Sequence, residues 1–300
     1  MNLDLALFNQ ELNTRKQYIE QNLEKYLGGE TPRPVRIHEA MRYAVMNGGK
    51  RLRPILVLEA ARICGARPDQ VIPSACALEF IHCYSLVHDD LPAMDDDDFR
   101  RGQPTCHKVF GEANAILTGD ALLTAAFGLL AANADIEGIE LKDVIQVIRE
   151  VAYAAGSRGM IGGQVLDLSG DDHLEPAALS ELHCLKTGEL FKAALRTGAI
   201  LGKMKGQDLE ALTRFAYNFG LAFQISDDIL DVSGDQAVLG KPVGSDDRNA
   251  RTTYISLYGL AGSTEKASQS AANCLDNLSR FGPEADFLRD LARFTLVRTF

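Results

Sequence analysis

The segment that decides the fold is EFIHCYSLVHDDLPAMDDDDFRRG, residues Glu79 to Gly102. An apolar run with helical spacing ends at Asp89 and Asp90, and Pro92 is unlikely to continue that helix. Four more aspartates and two arginines follow within nine residues. Carboxylates crowded in this way have raised pKa values unless cations lie among them. Hard oxygen ligands of this kind suit Mg²⁺, and the alternative interpretation is a solvated acidic loop between helices.

A second acidic cluster favours the metal interpretation over the loop. Asp227, Asp228 and Asp231 also lie at the end of an apolar helical run. Asp227 and Asp231 are four residues apart, so on a helix they share one face. Their carboxylates repel each other, and no basic residue stands at helical spacing to offset the repulsion. As a purely structural feature the cluster destabilises the fold through this repulsion. Divalent cations bound to it would offset the repulsion, so the cluster indicates a metal site.

Basic residues stand beside the glycines and the acidic segments, and they are candidates for binding phosphate. Arginine offers phosphate oxygens a planar fork, whereas lysine offers a compact charge. For any one of these residues alone, a solvated surface charge is the simpler interpretation. The candidate cations are Lys50, Arg51, Arg53, Arg100, Arg101, Lys186 and Lys241.

The composition is that of a globular protein and excludes some functions. The chain has 300 residues, 46% hydrophobic and 24% charged, with a net charge of −10. This charge argues against a broad nucleic-acid-binding surface. Charged residues interrupt each apolar run, so no membrane span is predicted. The six scattered cysteines form no CxxC pair, which favours a reducing cytoplasm over a disulfide framework or zinc site.

Apolar residues at helical spacing dominate the chain, and no strand-like alternation or βαβ pattern is visible. The sequence therefore predicts an all-α fold of ten or more helices around one core, with residues 1–300 forming a single domain. Three glycines in RGMIGGQVLDL, Arg158–Leu168, interrupt the helical pattern there. Pro176 is placed at the start of a helix that could run to Leu201.

Several motifs, taken together, resemble those of the trans-isoprenyl diphosphate synthase family. They are GGKRLRP from Gly48, IHCYSLVHDD…DDDDFRRGQPT from Ile81, GGQVLDL from Gly162, HCLKTGEL from His183, and GLAFQISDDILD from Gly220. They follow the family's order and cover most of the chain. The resemblance implies an all-α fold with a deep cavity, at whose mouth the two aspartate motifs face each other. It also implies that three Mg²⁺ ions assist ionisation of an allylic diphosphate, which isopentenyl diphosphate then attacks.

The resemblance also assigns roles to individual residues. The principal metal ligands are Asp89, Asp95 and Asp227, supported by Asp90, Asp228 and Asp231. Isopentenyl diphosphate is assigned to Lys50, Arg53, His82 and Arg101, and the allylic diphosphate to Arg100, Lys186 and Lys241. Thr187 and Gln224 are assigned to the reacting centre. From the residues alone, His82 is more simply explained as a hydrogen-bonded core histidine.

Product length is predicted from the residues upstream of the first aspartate motif. Tyr84 and Ser85 stand five and four residues before Asp89, where family members form the floor of the elongation cavity. A large aromatic residue there favours a fifteen-carbon product, and a smaller one allows twenty carbons. Tyr84, with the insertion at Pro92 and Ala93, favours the farnesyl product over the geranylgeranyl product. The alternative is that Tyr84 only packs in the core.

Two rival functions fit the sequence less well. A non-catalytic partner subunit is expected to have lost one aspartate motif, and a terpene cyclase usually mixes Asn, Ser or Thr and Glu in the second. The resemblance further implies a cytoplasmic homodimer. Two segments depart from the family pattern. The segment RTTYI, from Arg251 to Ile255, lacks the common lysine and proline, and Arg298 is the only late cation of the tail.

Overall fold

The computed structural model describes residues 3–28, 33–169, 174–233 and 252–297, and the predicted all-α fold is confirmed. The helices are α1 Leu5–Tyr26, α2 Val35–Met46, α3 Leu52–Ile63, α4 Pro68–Asp89, α5 Cys106–Phe110, α6 Glu112–Ala132, α7 Leu141–Ala155, α8 Met160–Leu168, α9 Pro176–His183, α10 Glu189–Leu201, α11 Gly206–Ser233, α12 Tyr254–Asn277 and α13 Asp286–Phe294. Two-residue strands, β1 Phe99–Arg100 and β2 Gln103–Pro104, form an antiparallel hairpin.

The largest hydrophobic core is enclosed by a ring of helices. Helix α4 packs against α3 and α6, α3 packs against α10, and α7 joins α10 to α6. Helix α11 packs on the outer side of α10 and carries α12 on its other face. A smaller apolar cluster built from α9, α11 and α12 lies on that side. The two helices that end in aspartates, α4 and α11, are therefore both anchored on the ring.

Helix α4 is the central element of this arrangement. Pro68 occupies its first turn, and the Gln70 side chain accepts a hydrogen bond from the Arg67 backbone, which caps the helix. From Val71 to Val87 most side chains are buried, because the helix is surrounded by neighbours on nearly all sides. Surrounding packing therefore fixes the position and direction of the end that carries Asp89.

Local signals set the ends of two other helices. The Asp4 carboxylate accepts hydrogen bonds from the backbone of Ala6 and Leu7 and so begins α1. Thr253 and Ser256 form a capping box at the start of α12, where the sequence lacks the proline common in the family. Helix α12 begins at Tyr254 without that proline.

Two local predictions differ from the structure. The glycine-rich segment contains the helix Met160–Leu168, in which Gly163 lies close to the backbone of Lys186. The helix predicted from Pro176 to Leu201 contains a π-helical turn, Cys184–Gly188, between α9 and α10. The hairpin β1–β2 was not predicted from sequence. Lys241, Arg251 and Arg298 lie outside the described residues.

Charged residues do not shorten every apolar helix below membrane-spanning length, contrary to the prediction from the sequence. Two helical stretches, Pro68–Asp89 and Glu112–Asp135, are long and apolar enough to cross a membrane by length and composition. In the first, 78% of the most apolar window is buried inside the protein, which is typical of a core helix. In the second the buried share is 33%, so much of its apolar surface faces outward.

Candidate active site

A cavity of about 580 Å³ opens beside the end of α4. Its wall is mostly apolar and is formed by α4, α6, α8 and the π-helical turn. Seven of the residues singled out from the sequence line it: Arg53, His82, Tyr84, Ser85, Asp89, Lys186 and Thr187. The cavity thus joins polar groups near Asp89 to an apolar interior.

Asp89 and Asp95 are brought together by the turn that follows α4. The backbone N–H of Asp95 donates to the backbone carbonyl of Asp89 over 2.9 Å, so Asp95 folds back onto the helix end. Burial raises the pKa of Asp89 to about 6, with Lys186 opposing the shift and Asp95 adding to it. A cation bound between Asp89 and Asp95 would stabilise the ionised form of both carboxylates.

Asp90 has a different environment, because it is paired with Arg100. The Arg100 Nε donates to both carboxylate oxygens of Asp90, at 2.7 and 3.0 Å. Asp90 is 3% exposed, and burial raises its pKa while the hydrogen bond from Arg100 opposes the rise. The roles of Asp90 on a metal and of Arg100 on a diphosphate stay predictions, and either role requires that this pair loosens or is shared.

Arg101 lies over the glycine turn that precedes α3. Its NH1 donates to the Gly48 carbonyl, and its guanidinium fills the space where a side chain on Gly49 would stand. Gly49 also has a φ of +116°, a backbone conformation that residues with a side chain rarely adopt. The sequence pattern GGK therefore brings Arg101 onto the backbone next to Lys50.

Lys50 and Arg53 rest on aromatic rings. The Lys50 Nζ lies 5.8 Å from the centroid of the Phe223 ring, and the Arg53 guanidinium lies 4.8 Å from that of Phe191. Burial lowers the pKa of Arg53 to about 10, with the charge of Glu79 opposing the shift. Arg53 lines the cavity, and Lys50 lies just before α3, next to the Phe223 ring of α11.

His82 faces this cationic cluster from α4. Burial, followed by the charges of Arg53 and Arg101, lowers the pKa of His82 well below its ordinary value. The imidazole is therefore neutral at neutral pH, and it acts as a hydrogen-bonding group rather than as an additional cation.

The π-helical turn carries Lys186 and Thr187 into the site. Such turns widen a helix locally and are frequent at functional sites. The Lys186 Nζ donates to Asp167 Oδ2 of α8 over 2.6 Å. The pairing of Asp167 with Lys186 was not predicted, because nineteen positions separate the two residues and they share no helix.

A hydrogen-bonded chain links this turn to the second acidic cluster. Thr187 Oγ1 donates to Gln224 Oε1 at 3.3 Å, and Gln224 Nε2 donates to Asp228 Oδ1 at 3.1 Å. The other oxygen of Asp228 accepts from the Tyr254 backbone at 2.9 Å. Asp228 is therefore occupied by protein donors and holds the start of α12.

The other acids of this cluster have different exposures. Asp227 is partly exposed, whereas Asp231 is 3% exposed. Asp227 also acts electrostatically on Arg53, which brings the end of α11 near the cations of α3. We therefore expect Asp227 to be the most accessible acid of its cluster.

The acidic groups differ in how closely their possible metal-ligand atoms approach one another. Within the described part of the chain, Asp96, Asp98 and His107 are the one group of three or more such residues whose ligand atoms all lie within 4.8 Å of one another. Asp98 already pairs with Lys108. The predicted ligands fit cations that complete their shells with substrate oxygens and water, as Mg²⁺ prefers, rather than a closed protein cage.

Tyr84 lies in the cavity wall below Asp89. It is 4% exposed, and its ring meets the His88 ring edge to face with centroids 5.8 Å apart. His88 fits against α6 because Gly119 has no side chain, and its Nε2 lies 3.0 Å from the Ile116 carbonyl oxygen. His88 was not predicted as a site residue, although it stands four residues after Tyr84 and therefore on the same face of α4.

The chain matches a family model described as polyprenyl synthetase over residues 34–285. It is 46% identical over 258 residues to the farnesyl diphosphate synthase of Geobacillus stearothermophilus, covering 86% of each chain. It is 43% identical to the farnesyl diphosphate synthase of Escherichia coli, covering 97% of this chain and 99% of that one. The geranylgeranyl diphosphate synthase of Cyanophora paradoxa is 40% identical, with 96% and 95% covered.

Solved structures agree with this relationship. A structure from Zymomonas mobilis, described as an FPP/GFPP synthase, superposes with a TM-score of 0.86 at 35% identity, covering 97% of this chain and 99% of that chain. The geranylgeranyl pyrophosphate synthetase of Pyrococcus horikoshii gives 0.87 at 29% identity, covering 98% and 99%. From its sequence, its helical architecture and the residues around its cavity, this chain belongs to the polyprenyl synthetase family of prenyltransferases.

Proposed function

We propose that this protein is a farnesyl diphosphate synthase. It joins isopentenyl diphosphate head to tail with dimethylallyl diphosphate and then with geranyl diphosphate. The observation that carries the choice of product is the Tyr84 ring, packed against His88 in the wall of the cavity below Asp89. The farnesyl diphosphate synthases among the relatives support the same choice.

The two diphosphates are assigned to separate groups of cations. The isopentenyl diphosphate is bound by Lys50, Arg53 and Arg101, which lie around the glycine turn, with neutral His82 as a hydrogen-bonding neighbour. The allylic diphosphate is bound by Arg100 and Lys186, and by Lys241 outside the described residues. We propose that the allylic group binds beside Asp89 and Lys186. The oxygen of the carbon–oxygen bond that breaks then lies near the acidic residues at the mouth of the cavity.

Mg²⁺ is the cofactor that the acidic groups fit, and three ions for each site are proposed by resemblance. Bound Mg²⁺ would neutralise charge on the departing diphosphate. Asp89, Asp95 and Asp227 are the proposed principal ligands, because each is at least partly accessible. Asp90, Asp228 and Asp231 are buried and take supporting roles.

Loss of the diphosphate leaves an allylic cation that the chain must stabilise without reacting with it. Thr187 Oγ1 and Gln224 Oε1 supply fixed dipoles beside this position. The double bond of isopentenyl diphosphate attacks the cation and forms the new carbon–carbon bond, which leaves a tertiary cation on the isopentenyl unit. The released diphosphate takes up a proton from the carbon next to that cation, and the double bond is restored. No nucleophilic side chain is needed for this sequence of steps.

The growing hydrocarbon chain enters the apolar interior of the cavity. Hydrocarbon leaves water readily, so it extends along the wall formed by α4, α6 and α8. Elongation stops where the chain meets side chains that cannot be displaced, because close-packed interiors yield space only at a cost. Tyr84 and His88 form that stop, with Ser85 beside them.

The test of this function is chromatography of the products formed from labelled isopentenyl diphosphate and geranyl diphosphate. We expect the fifteen-carbon product with Mg²⁺ and none with excess chelator. A predominantly twenty-carbon product would support the geranylgeranyl alternative instead. Absence of any condensation by the folded protein with Mg²⁺ would support the non-catalytic subunit.

We further propose a homodimer that uses the outer face of α6. This helix has a mean hydropathy of 1.7 over its most apolar window, yet only 33% of that window is buried. Ile116 and Leu117 are 46% and 56% exposed. A second copy would cover this face, because such an apolar surface is unfavourable in water. A cytoplasmic location stays a prediction, and the six free cysteines are compatible with a reducing compartment.

A further inference from the structure

Arg51 is a buried arginine in the middle of the proposed isopentenyl diphosphate pocket, yet it does not face the substrate. Its side chain is 0% exposed, whereas Lys50 and Arg53 on either side keep some exposure. Its backbone has φ +53°, a left-handed conformation that is unfavourable for a residue with a side chain. Contacts made by the arginine must therefore hold the backbone in this conformation.

The Arg51 side chain makes contacts with three helices. NH1 donates to Glu79 Oε1 of α4 over 2.8 Å, and NH2 donates to the Val45 carbonyl of α2 over 2.8 Å. Nε lies 3.6 Å from a carboxylate oxygen of Glu20 on α1. These contacts tie the turn before α3 to the helices around it.

Glu79 is the buried carboxylate on which this arrangement depends. It is 1% exposed and stands three residues before His82, so both lie on one side of α4. Its charge raises the pKa of Arg53 against the larger lowering by burial, and it acts on Arg101 in the same direction. A single buried carboxylate therefore faces three guanidinium groups.

Removing one partner would leave the other as an uncompensated buried charge, which is strongly destabilising. The same pair replaced by two neutral side chains of similar size costs much less. The buried pair is therefore poor evidence of stability by itself, and its location under the pocket calls for another role.

We propose that Arg51 and Glu79 are a positioning pair that holds the turn carrying Lys50 and Arg53 in the conformation that receives isopentenyl diphosphate. Resting on the function proposed above, this assigns a role in binding one of the two substrates. Without the pair, the backbone at residue 51 relaxes out of the left-handed region. Lys50 and Arg53 then no longer point to the same diphosphate before it arrives.

The test is the double variant Arg51→Met with Glu79→Gln, which removes the pair without changing the net charge of the pocket. The matched control is Arg15→Met with Glu59→Gln, a second pair of an arginine and a buried glutamate, joined over 2.8 Å between α1 and α3. We expect the KM for isopentenyl diphosphate to rise about tenfold or more in the first variant. The allylic KM is expected to change less than twofold, and the control to leave both KM values within twofold.

Calorimetric titration with isopentenyl diphosphate tests the positioning role without turnover, so it remains informative if the proposed condensation fails. An unchanged isopentenyl affinity in the folded double variant would overturn the inference. Equal weakening of both substrates, or the same weakening in the control, would also overturn it. If the double variant does not fold, Arg51→Lys replaces it. Lysine keeps the charge but lacks the guanidinium fork, so the same selective loss is expected to a smaller extent.

Discussion

At the ends of α4 and α11, two aspartates that are adjacent in sequence have different surroundings. Asp89 and Asp227 are partly exposed, unlike their neighbours. Asp90 and Asp228, their neighbours in sequence, are held by Arg100 and by Gln224 with the Tyr254 backbone. The residues alone identify both aspartate pairs, but only the resemblance to the family ranked Asp89 and Asp227 above their neighbours. Contacts with distant helices decide which member of each pair is held by protein groups, and those contacts depend on the rotation of α4 and α11 about their axes.

Asp89→Asn and Asp227→Asn are expected to fold and to lose at least about a thousandfold in turnover. Each removes a charge that is needed as negative charge develops on the leaving diphosphate. Circular dichroism and turnover are measured on the same samples. Asp276→Asn, an exposed aspartate on α12, is the control and should keep full activity. Near-normal turnover in either folded variant would remove that residue from the metal site.

His82 predicts a pH dependence of stability. Its pKa is lowered in the folded state, mainly by burial and then by Arg53 and Arg101. Below about pH 6.5 the unfolded chain binds a proton at this histidine while the folded protein does not. The free energy of unfolding therefore decreases as the pH is lowered. Between pH 7 and 5.5, His82→Gln should lose about 1 kcal/mol less unfolding free energy than the parent.

Urea unfolding at the two pH values measures this difference. His38→Gln on α2 is the control and should follow the parent. His183, whose pKa burial lowers to about 4, adds a similar contribution in both proteins and cancels in the comparison. Equal losses in the parent and in His82→Gln would show that His82 is protonated in the folded protein.

At the scale of helices, α4 and α6 approach closely at one glycine. A β-carbon on Gly119 would lie 2.0 Å from His88 Nε2, so Gly119→Ala must displace the imidazole and with it the Tyr84 contact. We expect altered product lengths, or a loss of about 1–3 kcal/mol in stability. Gly128→Ala on the same helix meets no atom within 4 Å and should leave the products unchanged.

Product chromatography and thermal unfolding of the two variants decide this point. A Gly119→Ala protein with parental stability and parental products would mean that His88 has room to move without consequence. The floor of the cavity would then not depend on the contact between α4 and α6.

Helical periodicity predicted most elements of this fold closely. The periodicity predicts helices over residues 141–155 and 207–232, and the structure has α7 over Leu141–Ala155 and α11 over Gly206–Ser233. The π-helical turn was not predicted, because no spacing in the sequence marks it; in the structure Gly163 lies close to the backbone of Lys186 in this turn. Likewise, the roles of Arg51 and Asp167 depend on partners 28 and 19 positions away. Spacing along one helix carries no information about such contacts.

At the scale of the whole molecule, the apolar outer face of α6 predicts self-association. Leu117→Glu would place a charge in the proposed interface and should convert a dimer into monomers at micromolar concentration. Leu260→Glu on α12 is the matched control, because Leu260 is 52% exposed, and it should remain dimeric. Sedimentation velocity measures both, and a monomeric parent or a dimeric Leu117→Glu protein would contradict the proposed interface.

The central claim, that a tyrosine in the cavity wall limits the product to fifteen carbons, is tested most directly by product chain length in Tyr84→Ala. Removing the ring opens the floor, so we predict products of twenty carbons or more with Mg²⁺ dependence unchanged. Tyr84→Phe is the control and should keep the fifteen-carbon product, since the Tyr84 hydroxyl has no hydrogen-bond partner among the described residues. An unaltered fifteen-carbon product from folded Tyr84→Ala would contradict the account.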